Sequence, residues 1–125
     1  MRLLLDSHVL LWWTSSPSRI AAPTKSAIDS SDNDVFVSVA TAWELAIKSG
    51  LGRLRMPSGL EEKMDERGLQ KLGISFAHAA LAGRLPRHHG DPFDRMLIAQ
   101  AQSEGLTLVT RDRVFSAYGI PVLKA

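Results

Sequence analysis

Residues 2–5 (Arg-Leu-Leu-Leu) form a short apolar run that stops at Asp6, the pattern of a strand buried on both faces. Residues 7–14 are apolar enough for a short helix, and Ser15, Ser16, Pro17 and Ser18 then break the chain. A helix is expected over 24–31, with Pro23 near its start. Residues 35–39 (Val-Phe-Val-Ser-Val) are rich in β-branched side chains and read as the clearest strand. A helix over 41–49 follows, opened by Thr41, with Glu44 at capping-box spacing and Gly50 and Gly52 at its end. Residues 58–67 predict a helix with Ser58 as its cap. Residues 73–76 predict a short strand, and 77–85 a helix stopped by Pro86. The periodicity of Phe93, Met96, Leu97 and Gln100 gives a strong helix over 93–104 closed by Gly105. A strand over 106–110, a helical turn or two over 112–118 and a last strand over 120–123 complete the chain.

The order is β-α-α-β-α-α-β-α-α-β-α-β. Short apolar strands alternating with helices predict an α/β fold whose sheet is mainly parallel and covered on both faces, with right-handed crossovers. A length of 125 residues suits one domain, 1–125, with a real core. Hydrophobic residues at 45% and charged residues at 22% agree. The absence of cysteine excludes disulfides, thiolate metal sites and cysteine nucleophiles, and suits a reducing, cytoplasmic setting. The apolar run at the N-terminus is too short for a signal peptide or a membrane span, so no membrane association is expected. The net charge of +2 is compatible with a polyanionic partner.

In an open parallel α/β sheet, ligands bind outside the carboxyl ends of the strands. Asp6 follows the first strand, Thr110 and Asp112 follow the fourth, and Ser38, Thr41 and Glu44 lie at the exit of the second. Asp94 begins the helix that leads to the fourth strand. Counting strands alone leaves it at the far edge, so the 88–93 loop is needed to carry it to the others. Each acid also has a structural reading: Asp6 and Asp94 as helix caps, Glu44 as a capping-box partner, Asp112 as an Asx turn. An inward Glu44 on so apolar a helix would be costly without a partner. Carboxylates that share a site repel one another, and a hard divalent ion such as Mg²⁺ or Mn²⁺ removes that cost.

The segments Leu3-Leu4-Leu5-Asp6-Ser7-His8, 38–48 around Glu44, Asp91-Pro92-Phe93-Asp94-Arg95 with its helix, and Thr110-Arg111-Asp112 resemble, in order, those of PIN-domain proteins, specifically VapC-type toxins of toxin–antitoxin pairs. The resemblance implies a three-layer α/β/α PIN-like domain over 1–125 with a mainly parallel sheet of four or five strands. It implies Mg²⁺- or Mn²⁺-dependent endonucleolytic cleavage of RNA, a cognate antitoxin that inhibits it, and a homodimer. The family's acidic set falls on Asp6, Glu44, Asp94 and Asp112, through one metal or two, with Thr110, Asp91 and Ser7 supporting. Asp91 and Asp94 share a face if the whole segment is helical. With Pro92 at the first helical position, Asp91 instead becomes the cap and Asp94 the inward acid, and Asp94 is the preferred assignment. Arg95, Arg111, Arg87 and His89, with Arg84 and His88 nearby, are candidate contacts to the RNA backbone. Trp12 and Trp13, adjacent on a helix, are expected to split between core and surface. The segment 43–72, with Leu45, Ile47, Leu51, Leu54, Met56 and Leu60, reads either as an antitoxin groove or as helix–helix core packing. Other readings are a structure-specific DNA nuclease, a non-catalytic binding module, or a phosphatase-like or receiver-like protein. The last would need a lysine beside its phosphoryl-accepting aspartate, and only Lys48 lies near a motif.

Overall fold

Successive side chains of an extended strand point to opposite faces. Leu3 and Leu5 therefore enter one core and Leu4 the other, and none of the three is exposed. In the computed structural model, which describes residues 1–125, this strand, β1 (Arg2–Leu5), lies at the centre of a five-stranded sheet. The other strands are β2 (Asp34–Ser38), β3 (Gln70–Leu72), β4 (Thr107–Thr110) and β5 (Val122–Lys124), in the order β3-β2-β1-β4-β5. Every pairing is parallel, with Leu4 opposite Phe36 on one side and Leu108 on the other.

The helices are α1 (Ser7–Ser15), α2 (Ala22–Asp29), α3 (Val39–Gly50), α4 (Leu60–Glu66), α5 (Phe76–Arg84) and α6 (Pro92–Glu104), with 3-10 turns at Pro17–Arg19 and Arg113–Tyr118. Val9, Leu10 and Trp13 of α1, Ile28 of α2 and Met64 of α4 cover the face that carries Leu3, Leu5, Val35 and Val37. Leu97, Ile98 and Ala101 of α6, with Phe115, cover the face of Leu4 and Leu108. A leucine buried this fully stabilises by about 1.5–3 kcal/mol, so the sheet is held from both sides in a three-layer α/β/α arrangement. No helix is long and apolar enough to cross a membrane.

Three local expectations are corrected. Helix α3 starts directly at the end of β2, and its cap is Ser38, whose Oγ accepts from the Ala40 N–H at 3.0 Å. Thr41 and Glu44 are therefore helix-interior residues and not a capping box. The third strand is Gln70–Leu72, not 73–76. Ser75 instead caps α5 in a reciprocal pairing with His78, and Phe76 is 96% exposed. Gly59, in the left-handed region at φ +66°, takes the place before α4 expected for Ser58.

The strand order locates the crevice. From β1 the chain steps outward through β2 and β3, then crosses back to β4 and β5 on the other side of β1. Strand order thus reverses between β1 and β4, the switch point at which open α/β sheets form ligand sites beyond their carboxyl ends.

Candidate active site

Asp6 and Asp112 flank that switch point. Asp6 leaves β1 and caps α1, its Oδ1 accepting from the Val9 N–H at 2.8 Å. Its Oδ2 accepts from the hydroxyl of Thr110, the last residue of β4. The same hydroxyl oxygen accepts from the Asp112 N–H at 3.1 Å. Asp112 caps the 3-10 turn, with Oδ1 accepting from the Val114 N–H at 3.0 Å. Asp6 is 5% exposed. Burial raises its carboxyl above the usual carboxylate range. The bonds from Thr110 and Val9 and the nearby His8 pull it back, and Asp112 pushes it up further.

Glu44 and Asp94 form a second pair on the same edge. Helix α6 runs antiparallel to β4, and its far end is marked by Arg2 Nη1, at the start of β1, donating to the Glu104 carbonyl. Its N-terminus therefore reaches the carboxyl edge. The direction of the helix places Asp94 there, so the expectation that the 88–93 loop must carry it is corrected. Pro92 is the first helical residue and Asp91 is the cap, its Oδ1 accepting from the N–H groups of Phe93 at 2.9 Å and Asp94 at 3.1 Å. Asp94 is pushed up to about 6 by burial first, then by the charges of Asp91 and Glu44, against a bond from His89. Glu44 is 5% exposed and takes an ion pair from Lys48, one turn on, at 2.8 Å.

Asp6, Asp112 and Asp91 all serve as caps, so their positions have a purely structural use. Glu44 and Asp94 cap nothing, yet both are drawn into the edge, where burial and the neighbouring charge of Glu44 raise the cost of charge on Asp94. The donor set is oxygen only, which suits a hard divalent ion. One turn before Glu44 the Thr41 hydroxyl is buried without a partner. No three Asp, Glu or His side chains close around a single point. Each of the four acids instead holds a protein donor: Thr110, Lys48, His89 and the Val114 N–H. The residues thus fit such an ion in chemistry and in edge, as two pairs.

The expected basic contacts divide. Arg95 is corrected: it is 6% exposed, and its guanidinium donates to the carbonyls of Pro86 at 2.8 Å, Leu85 at 2.9 Å and Ala82 at 3.0 Å. Those donors tie the end of α5 to α6 and cannot face a phosphate. Arg111 donates to the carbonyls of Arg19 and Ala125 and lies 4.3 Å from the centre of the Trp12 ring. His89 bonds Asp94 and Tyr118. Arg87, Arg84 and His88 are exposed. Ser7 is buried at the first position of α1. Trp13 is core, while Trp12 is half-buried under Arg19 and Arg111. The exposed tryptophan is Trp43, at 61%, rather than Trp12 or Trp13. Tyr118 was missed, and nothing in its local sequence marks it.

Known proteins share this fold. The family model of the PIN domain matches residues 3–121. Ribonuclease VapC22 of Mycobacterium tuberculosis is 33% identical over 124 residues, spanning 95% of this chain and 93% of that protein. Among solved structures, VapBC2 from Rickettsia felis bound to a promoter DNA fragment superposes with a TM-score of 0.74 at 16% identity, over 99% of this chain and 98% of that one. DNA-bound VapBC from Salmonella typhimurium gives 0.70 at 20% identity over 99% and 98%. Its extent of match and its all-parallel three-layer fold together establish that the chain belongs to the PIN-domain family.

Proposed function

We propose that this protein is a divalent-metal-dependent endoribonuclease and the toxin of a toxin–antitoxin pair acting in the cytoplasm. The observation that carries the reading is the pairing of Glu44 with Asp94 on the edge that also carries Asp6 and Asp112. Two of these carboxyls are held above their normal values by burial and by neighbouring acids. A fold needing only caps has no use for that cost. The similarity to a VapC ribonuclease along nearly the whole chain supports it.

Asp6, Asp94, Asp112 and Glu44 would hold Mg²⁺ or Mn²⁺. Such an ion supplies Lewis acidity, activating water and offsetting the charge that grows on a phosphodiester. The protein's own part is positioning. Thr110 fixes Asp6 against β4, Asp91 sets the first turn of α6 and so aims Asp94, and the helical register of α3 presents Glu44. Exposed Arg87 and Arg84 lie on the loop and helix end that lead to Asp94 and would meet the RNA backbone.

The antitoxin would enter a groove of about 490 Å³ beside β2 and α4, lined by Leu10, Val37, Met56, Leu60 and Met64, with Glu61 and Lys71 at its polar side. Solved VapBC complexes of the same fold support such a partner. A second copy of the chain would pack on the outer face of α3. There Val39, Trp43, Ile47 and Leu51 recur every four residues and are 38–63% exposed.

The test is cleavage of RNA and of DNA with and without Mg²⁺. Wild type should cut RNA only with the metal, and Asp6→Asn and Asp94→Asn should each remove cleavage while leaving the circular-dichroism spectrum unchanged. Full activity in both variants, or in EDTA, would refute the proposal, and cutting of DNA alone would favour the DNA-nuclease reading.

A further inference from the structure

His89 stands between the buried end of the polar network and the edge acids. Its Nδ1 lies 2.6 Å from the Tyr118 hydroxyl, and its Nε2 lies 3.2 Å from Oδ2 of Asp94. The Tyr118 oxygen also receives two N–H groups, from the His89 backbone at 3.3 Å and from Arg95 Nη1 at 3.5 Å. A phenol has one proton to give and two lone pairs to fill. With both acceptor positions facing N–H donors, its proton is directed at Nδ1. Nδ1 is then the acceptor, the ring proton sits on Nε2, and Nε2–H donates to Asp94. Both imidazole nitrogens are committed, so none is left for a phosphate. The ring of His88 packs edge-on against Tyr118 at 4.8 Å and closes the network from outside.

We propose that His89 is a positioning residue for Asp94. Tyr118 fixes the imidazole as its Nε2–H tautomer, and that N–H holds Oδ2 of the carboxylate, leaving Oδ1 without a protein partner and available to a divalent cation. The inference rests on the metal-site reading above and replaces the role of RNA contact expected for His89. It also gives buried Arg95 a place in the chain of bonds. The guanidinium that anchors the end of α5 orients the phenol, the phenol orients the imidazole, and the imidazole orients the acid. Partners that orient a metal-ligating group typically change metal affinity 10–100-fold when removed.

The experiment has two arms on the full chain. In the first, ¹⁵N spectra of the metal-free protein at about pH 8, above the ordinary histidine pKa of about 6.5, read the tautomer of His89. The proton is expected on Nε2 in wild type, and a mixture of tautomers in Tyr118→Phe. In the second, calorimetry reads Mn²⁺ affinity and kinetics read cleavage of a short RNA. His89→Ala should weaken Mn²⁺ at least about tenfold and lower kcat with KM for RNA unchanged. His89→Gln, whose amide nitrogen can stand in for Nε2, should recover part of both, and Tyr118→Phe should lose less than His89→Ala. A proton on Nδ1, wild-type Mn²⁺ affinity in His89→Ala, or a raised KM with unchanged kcat would overturn the proposal alone. Failure of wild type itself to bind Mn²⁺ would overturn the metal-site reading and this proposal with it.

Discussion

Thr110 donates its hydroxyl proton to Oδ2 of Asp6 across the boundary between β4 and β1. That bond is the largest influence pulling the buried Asp6 carboxyl back toward its normal value. Thr110→Val keeps the shape and removes the donor, leaving a buried acceptor unsatisfied at a cost of about 1–3 kcal/mol. The carboxyl pKa should then rise further, so the loss relative to wild type should be larger at pH 7 than at pH 4. Urea unfolding at the two pH values checks this, and Thr110→Ser should restore most of the difference. Equal losses at both pH values would remove the coupling.

The pH dependence of stability follows from Asp94. Its carboxyl is raised on folding from 3.8 to about 6. The native state therefore binds that proton more tightly than the unfolded chain. The resulting stability is fully present below pH 3.8 and is lost as pH climbs through about 6. Asp6 is raised as well and acts in the same direction. In EDTA, Asp94→Asn should show a smaller fall in melting temperature than wild type between pH 4 and 7, and should be the more stable protein at pH 7. Added Mn²⁺ should stabilise wild type increasingly above pH 6, because the ion and the proton compete for the same oxygens. Parallel melting curves for the two proteins would contradict the assignment.

Arg95 and Arg87 should separate cleanly. Arg95→Ala leaves the carbonyls of Ala82, Leu85 and Pro86 without their donor, and Arg95→Lys cannot replace a planar fork that reaches several acceptors. Both variants should lower the midpoint of chemical denaturation. Arg87→Ala should leave that midpoint unchanged and flatten the salt dependence of RNA binding by about one phosphate contact. Stability and salt titration, measured on the same preparations, distinguish the two roles.

The outer face of α3 gives a fourth test. Trp43 is 61% exposed and packs edge-on against Phe93 of α6 at 5.3 Å, within a stripe of apolar side chains that stays largely open to solvent. Trp43→Glu should shift sedimentation toward the monomer while leaving the melting curve of the monomer close to wild type, since the side chain is not core. An unchanged sedimentation coefficient would refute self-association through this face.

The sequence made Asp6 and Asp112 easy to place, because each follows a strongly apolar strand and the edge then follows from topology. Glu44 is legible on its apolar helix, but its local role is not. The capping box pointed to Thr41, whereas β2 passes into α3 with no loop and Ser38 takes the cap. The third strand was missed for a related reason. Gln70-Lys71-Leu72 is an edge strand, so its polar residues hide the pattern, while the more apolar 73–76 leads into a helix and exposes Phe76. Asp94 is marked by its motif, but strand counting alone puts it at the wrong edge, because a crossover helix returns antiparallel to its strands. Arg95 could not be read as buried, since its acceptors are carbonyls from a different helix and exist only after α5 and α6 pack. Tyr118 was silent for the same reason.

The Asp6–Thr110 bond joins residues 104 positions apart. The central strand leaves the ribosome well before its neighbour β4, with β2 and β3 made in between. A growing chain can assemble the α1, α2 and α3 layer around β1 and β2 while the edge still lacks Thr110, Asp112 and the strand that supports them. On the reading proposed here, the nascent protein carries no nuclease until β4 has been made. On that reading, cutting activity would arise as one event, when β4 docks, so the interval in which an inhibitory partner must capture the new protein would begin only then.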